Sequence, residues 1–451
     1  MAGGTWTAQN KVRPGIYINF KSQGTPAAAL GTRGTVAIPR PLSWGPMGQV
    51  TAVNAGDDTR SAIGYAVTEP GALFLRELFK GSNVTSGPSK VLLYRLAAEG
   101  AAPASAVISG SGEDQVTATA RYPGVRGNSL AVTVAADVDE EGSFLVTTLL
   151  DGEQVDQQRA KDVSGLKANG WVTFSGKGAL AATAGASLTG GADGTVQSAA
   201  YADALTALEP YSFDILAYDG TDSTIREAMC AFVKRLVEQE GKYSQLVTSG
   251  AQSADSPYVI NTNSGVILSD GTQLAPNETV WWLAGAEAGA QYDQSLSYAA
   301  YPGAVDVAAR QTNGQIEAAI LAGDIVLVQE FGQVRVETDI NTLITYTPDV
   351  GKVFHKNTTM RVCCSLANDI YKDFSLNFRG KVKNNEGGRG LFKASVLSRL
   401  LEMYNKEALR ERPTGDDVAV EPGDELDSIA VTAAFYVGDS VEKAYLTIIV
   451  A

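Results

Sequence analysis

Residues 213–241 read FDILAYDGTDSTIREAMCAFVKRLVEQEG. The first seven, FDILAYD, form a short apolar run ending at Asp219, which predicts a buried strand. Then Ile225, Met229, Phe232, Val233, Leu236 and Val237 recur at helical spacing. Thr224-Ile225-Arg226-Glu227 has the pattern of a capping box, and Gly241 supplies a helix stop. YSQLVTS follows as a second apolar strand. Strand, helix, strand in this order predicts a sheet covered by helices.

Working outward, the same α/β grammar covers about 195–346. YADALTALE and NGQIEAAILAGD read as helices, and IVLVQEF and QVRVETDI as strands. In VWWLAGAEAGA, Trp281 and Trp282 read as packing anchors. Upstream, GTVAIPRP and KVLLYRL are strands around the helix GALFLRELFKG. Between these halves the character changes. After the small-residue linker AAEGAAPASAV, the segments QVTATARY, NSLAVTVAAD, SFLVTTLLDG, WVTFSG and ASLTGGADG alternate with turns. No helical period appears, so about 99–194 is an inserted all-β module, a sandwich or a small barrel.

The fold class expected is therefore mixed α/β and α+β, multidomain. It divides into an N-terminal arm and strand (1–22), a first α/β part (23–98), the β module (99–194), an α/β core (195–346) and a C-terminal α+β domain (347–451). In the last, MRVCCSL reads as a strand that puts Cys363 and Cys364 on opposite faces. GLFKASVLSRLLEMYNKEALRER reads as a helix over 390–412, RPTGDDVAVEPGDELD as a flexible linker, and IAVTAAFYV with KAYLTIIV as a closing hairpin-like pair. In KAYLTIIVA (443–451), Ala444, Leu446, Ile448 and Val450 fall on one strand face and Tyr445, Thr447 and Ile449 on the other. Such a strand needs a partner.

Composition excludes several chemistries. The 451-residue chain carries a formal charge of -14, which disfavours non-specific nucleic-acid binding. No apolar run is long enough for a membrane span, and MAGGTWTAQNKVRPG lacks a signal-peptide core, so synthesis in a cytosol is expected. Three cysteines make no disulfide framework. The single histidine, His355, rules out multi-histidine metal sites, and no GxSxG elbow accompanies it. GWVTFSGKG has the wrong glycine spacing for a phosphate loop, and DVDEEG lacks the closing Glu of a calcium loop. No catalytic, cofactor or metal residues are assigned. Charge is nonetheless uneven: residues 372–412 hold ten Lys/Arg and five Asp/Glu, net +5, leaving -19 for the rest. Arg399, Lys406 and Arg410 read as one arc on the 390–412 helix, which suits an acidic protein partner.

Taken in order, KVRPGIYINF, VAIPRPLSWGPMGQV, YPGVRGNSLAVTV, LTGGADG, FDILAY, NSGVILSDGTQL, AGAEAGA, SLSYAAYPGAVDV, VETDINTLITYTP, FRGKVKNNEGGRGLFK and VEKAYLTIIV resemble a contractile-tail sheath protein. The likeness is to those of myophages of Gram-positive bacteria and of related phage-tail-like bacteriocins. It spans nearly the whole chain. The resemblance implies a structural subunit without catalytic residues or cofactor, made in the host cytoplasm. Such subunits stack as six-membered rings around a tail tube and contract to drive it through an envelope. The implied partners are further copies of the chain, the tail tube protein, and baseplate and tail terminator proteins, with no direct nucleic acid and no membrane insertion. It also implies strands exchanged between subunits, carried here by Ile16, Tyr17, Ile18 and Phe20 and by Tyr445, Leu446, Ile448 and Val450. The tube-facing residues would be Lys393, Arg399, Lys406 and Arg410. The competing reading is a secreted or surface glycan-binding β-rich protein, which the Gly-rich β module and acidic charge would suit.

Overall fold

The computed structural model describes residues 33–110 and 115–449, with the backbone of Gly3–Gly4 and Ile16–Tyr17. Its centre is a seven-stranded sheet. In spatial order the strands are Asp324–Ile325, Val259–Thr262, Gln245–Thr248, Ile215–Ala217, Thr35–Arg40, Lys90–Arg95 and Val50–Asn54. All neighbours are parallel except the last pair. A parallel sheet is covered on both faces, so its strands are apolar on both. Val36, Ile38, Val91, Leu93, Ile215, Ala217 and Val247 enter one core. The alternate residues Ala37, Leu92, Leu216 and Leu246 enter the other. Helices Ala199–Leu208 and Ser223–Glu240 cover that second face.

The first face is covered by helix Pro276–Gly289, which is buried on every side. It lies so close to its neighbours that a Cβ on Gly285 would stand 1.8 Å from the Leu78 carbonyl oxygen. Trp281 Nε1 donates to Asp219 at 2.8 Å, and Trp282 stacks on Tyr301 with centroids 4.1 Å apart. Both are packing anchors with satisfied N–H groups. The helix Ser223–Glu240 is capped by Asp222, whose carboxylate accepts from the Thr224 and Ile225 N–H groups. In place of the box expected at Thr224, the helix has a simple cap two residues upstream, because Asp is as good a cap and precedes it. Gly241 ends the helix at φ 66°.

The β module resolves as a sandwich. Four strands (Glu153–Ala160, Phe144–Leu150, Leu130–Ala136, Thr183–Ser187) face three (Val172–Gly176, Val116–Ala120, Ser105–Ser109) over a separate core. Trp44, from outside the module, is fully buried in that core against Tyr122 and Trp171. Arg126 and Arg95 add bonds across the junction, to the Gly64 and Pro123 carbonyls at 2.8 and 2.7 Å. The module is pinned to the central sheet rather than hung from a linker.

The C-terminal part departs from expectation in three places. MRVCCSL is not a strand but lies inside helix Asn357–Asp373. Its buried residues include Asn357, Thr358, Arg361, Ser365, Asp369 and Asp373 beside Met360, Val362, Cys364 and Leu366, so the helical period shows over the full span but not within the seven residues MRVCCSL. Residues 412–427 are not a free linker: Thr414 and Asp417 cap a short turn, and Val418–Pro422 is a strand. That strand, not KAYLTIIV, pairs with Ile429–Ala433 to form the hairpin. Finally, the basic helix runs Glu386–Asn405, because Glu407 turns to φ 63°. Arg410 lies beyond it.

Candidate assembly surfaces

From Tyr436 the chain runs beside its own domain: Arg410 N donates to the Tyr436 carbonyl, and Gly438 N to that of Ala408. It then crosses to the central part of the molecule. The Glu442 carboxylate accepts from Lys356 Nζ at 2.5 Å, from Ser297 Oγ at 2.5 Å and from Thr338 Oγ1 at 3.3 Å. Past this point the chain leaves the surface. Residues 443–449 enter no strand pairing among the described residues. Tyr445, Leu446, Ile448 and Ile449 are 93, 82, 76 and 87% exposed. An extended apolar segment offered to water is a template for pairing with another chain.

The hairpin Val418–Pro422/Ile429–Ala433 is a two-stranded sheet in the same domain. Val418, Val420, Ile429 and Ala433 pack on the C-terminal core, and Val431 faces solvent. Two strands leave two open edges, each able to accept an added strand. At the other end of the chain, Ile16–Tyr17 pairs in parallel with Gly3–Gly4. Ile18, Phe20 and Val450 lie outside the described residues.

The four basic residues singled out in the sequence are not brought together on one arc. Lys393 is half-buried, and Lys406 and Arg410 are exposed. Lys406 lies over the Tyr292 ring at 5.4 Å and Arg410 over that of Tyr436 at 4.9 Å. Arg399 is different. It is only 3% exposed, with its nearest carboxylate, on Glu402, 3.7 Å away. In the free subunit it faces the interior, because the 386–405 helix turns that side to the C-terminal core.

A site the sequence did not signal joins the central and C-terminal parts. Arg361, fully buried, donates to Glu287 at 2.6 Å and to Asp339 at 2.5 Å. Asn357 Nδ2 donates to the Asp339 carboxylate at 2.8 Å. Burial, and next the Asp339 charge, push the Glu287 carboxyl well above its ordinary value. Burial also works against the Asp339 charge, but Arg361 holds that carboxyl below its usual range. The arrangement sets one cation between two carboxyls whose pKa values are pushed in opposite directions, Glu287 up and Asp339 down. Glu287 sits in the AGAEAG helix and Arg361 in the cysteine helix, so neither local pattern announces the pair.

The match to known proteins covers nearly all of the described chain. Residues 194–342 match the phage tail sheath protein central domain, 98–193 its beta-sandwich domain, and 349–451 the phage tail sheath C-terminal domain. Residues 33–96 match the domain III N-terminal region of the tail sheath protein Gp18. The crystal structure of a sheath tail protein from Desulfitobacterium hafniense superposes with TM-score 0.83 at 38% identity, over 96% of this chain and 99% of that one. This chain belongs to the phage tail sheath family. The sheath subunit is also similar to the phage-like element PBSX protein XkdK of Bacillus subtilis strain 168, 31% identical over 99% of both chains. Its fold is shared with the helical sheath of the anti-feeding prophage in the contracted state, at TM-score 0.57 and 14% identity over 97% of this chain and 98% of that one. It is a structural subunit of the contractile-sheath fold, and the glycan-binding reading gives way.

The remaining reactive groups of the sheath subunit are packing elements. His355 is half-buried and its Nδ1 lies 2.7 Å from the Leu343 carbonyl oxygen, with burial lowering its pKa. Burial pushes the Cys230 and Cys363 thiols up to about 11 and that of Cys364 to about 12, which leaves them unreactive.

Proposed function

We propose that this sheath subunit polymerises as stacked six-membered rings around a tail tube and contracts to drive the tube through a bacterial envelope. The observation that carries the reading is the apolar tail 443–449, exposed and unpaired among the described residues, in a subunit whose hairpin 418–433 has open edges. In the assembled sheath, Tyr445–Val450 of one subunit adds to the hairpin of a second, and Ile16–Phe20 of another copy takes a further edge. A head-to-tail contact of this kind does not close on itself and builds an open helix. The subunit performs no catalysis; energy stored at assembly is released as new interface forms. It is made in the bacterial cytoplasm, and its ends meet baseplate and tail terminator proteins. It touches neither nucleic acid nor the membrane interior.

The tube faces residues from about 347 onward. Lys393, Lys406 and Arg410 are the side chains available to it. Arg399 would join them only if its helix shifted off the C-terminal core. Charge attraction across such a surface is salt-dependent. Reversing Lys406 and Arg410 to Glu is therefore expected to weaken co-assembly with tube protein, most at low salt, with the subunit's melting temperature unchanged.

Electron microscopy of the purified full chain beside a version truncated after Lys443 tests the whole reading. Long hollow tubes from the first and single subunits from the second are expected. Tubes from both would return the tail to its own subunit.

A further inference from the structure

The tail root is held in an unusual way. One wall of it is open: Ser440, Val441 and Glu442 border a cleft of about 530 Å³ with Tyr298, Ile316 and Val328. Val441 is largely exposed. Apolar packing therefore does not fix this stretch. What fixes it is one carboxylate with three donors. The side chains of Lys356 and Glu442 are each more than three-quarters buried, although Glu442 as a whole residue is exposed, and Lys356 Nζ also reaches Thr338 Oγ1 at 3.2 Å and Asp439 at 3.8 Å. Ser297 Oγ, which donates to Glu442, in turn accepts from the Asp339 backbone N–H at 3.0 Å. The tail root is thus tied to the segment that carries the buried Arg361–Asp339 pair.

We propose that Glu442 is a latch that fixes where the C-terminal tail leaves the subunit, so that residues 443–449 are presented to a second copy of this chain from one defined exit. The proposal rests on the strand-exchange reading for its purpose, but not for its test. Lys356 begins the helix that carries Arg361. A pull on the exchanged tail therefore enters the subunit at Glu442 and passes directly into the joint between its central and C-terminal parts. Without the latch, the tail would hang from Gly438, and its first anchored point would lie in the C-terminal domain alone.

Trypsin reads the latch in the unassembled subunit. Cleavage after Lys443 requires the adjoining Glu442 to leave its donors and enter the protease in extended form. The rate then tracks the open population of the root. Glu442→Gln and Ser297→Ala are expected to speed cleavage after Lys443, by roughly tenfold for the charge-removing variant. Cleavage at exposed Lys381 and the melting temperature should not change. The swap Lys356→Glu with Glu442→Lys restores slow loss of the tail, read by mass as retention of residues 443–451. Equal cleavage in wild type and Glu442→Gln overturns the latch, as does a swap that behaves like the single variant. The exchange reading fails separately, when truncation leaves tube formation intact.

Discussion

Arg361 is the residue on which the interior balance rests, and its neighbours respond differently to change. Asp339→Asn leaves a buried guanidinium facing an uncharged partner and is expected to cost about 3–5 kcal/mol, read by denaturant unfolding. Glu287→Gln replaces the carboxyl by a neutral group of the same shape, the form that its raised pKa favours. Because the folded pKa of Glu287 is raised, its contribution is complete below the ordinary carboxylate range and is lost as pH rises toward the folded value. The Gln variant lacks that loss. Its melting temperature should match wild type near pH 4 and exceed it increasingly toward pH 8; a gap that shrinks with pH would contradict the assignment. Gly285→Ala must force a Cβ onto the Leu78 carbonyl, 1.8 Å away, and is expected to cost about 3 kcal/mol. At this scale the sequence was least legible. It marked AGAEAGA without revealing that its Glu is buried, and it placed Arg399 at a surface when the helix turns it inward.

Among elements, the strands and helices of the central sheet were read where one hydrophobic period dominates, as in 213–241. The errors fall where the period is masked. Helix Asn357–Asp373 buries polar side chains, and VCC in isolation imitates a strand. The strand Val418–Pro422 sits inside a Pro/Gly/acid-rich run that imitates a linker, and so its hairpin partner was assigned instead to the tail. With the hairpin completed by Val418–Pro422, the tail has no strand partner in its own chain among the described residues. Leu446→Asp with Ile448→Asp should therefore leave subunit stability within about 0.5 kcal/mol, because both side chains are already in water. The same pair is expected to abolish tubes in electron micrographs. A large loss of subunit stability would mean that these residues pack within their own chain.

For the whole molecule, the order of α/β, inserted β and α+β segments was legible from pattern alone, since composition shifts sharply near 97 and again near 195. Sequence could not tell how firmly the parts are joined. Trp44 seated in the sandwich core, Arg361 across the central and C-terminal parts, and Glu442 at the tail root join the described parts into one body with an extended C-terminal strap. On the proposed strand exchange, such a body would transmit load through its strap while its side contacts rearrange. The most direct test places a photo-crosslinking amino acid at Leu446 in a sheath assembled from equal amounts of isotopically light and heavy subunits. The account predicts crosslinks from position 446 to the 418–433 hairpin, with mixed light–heavy pairs about twice as abundant as light–light pairs. Crosslinks confined to light–light and heavy–heavy pairs would mean that the tail folds back on its own subunit, and would contradict it.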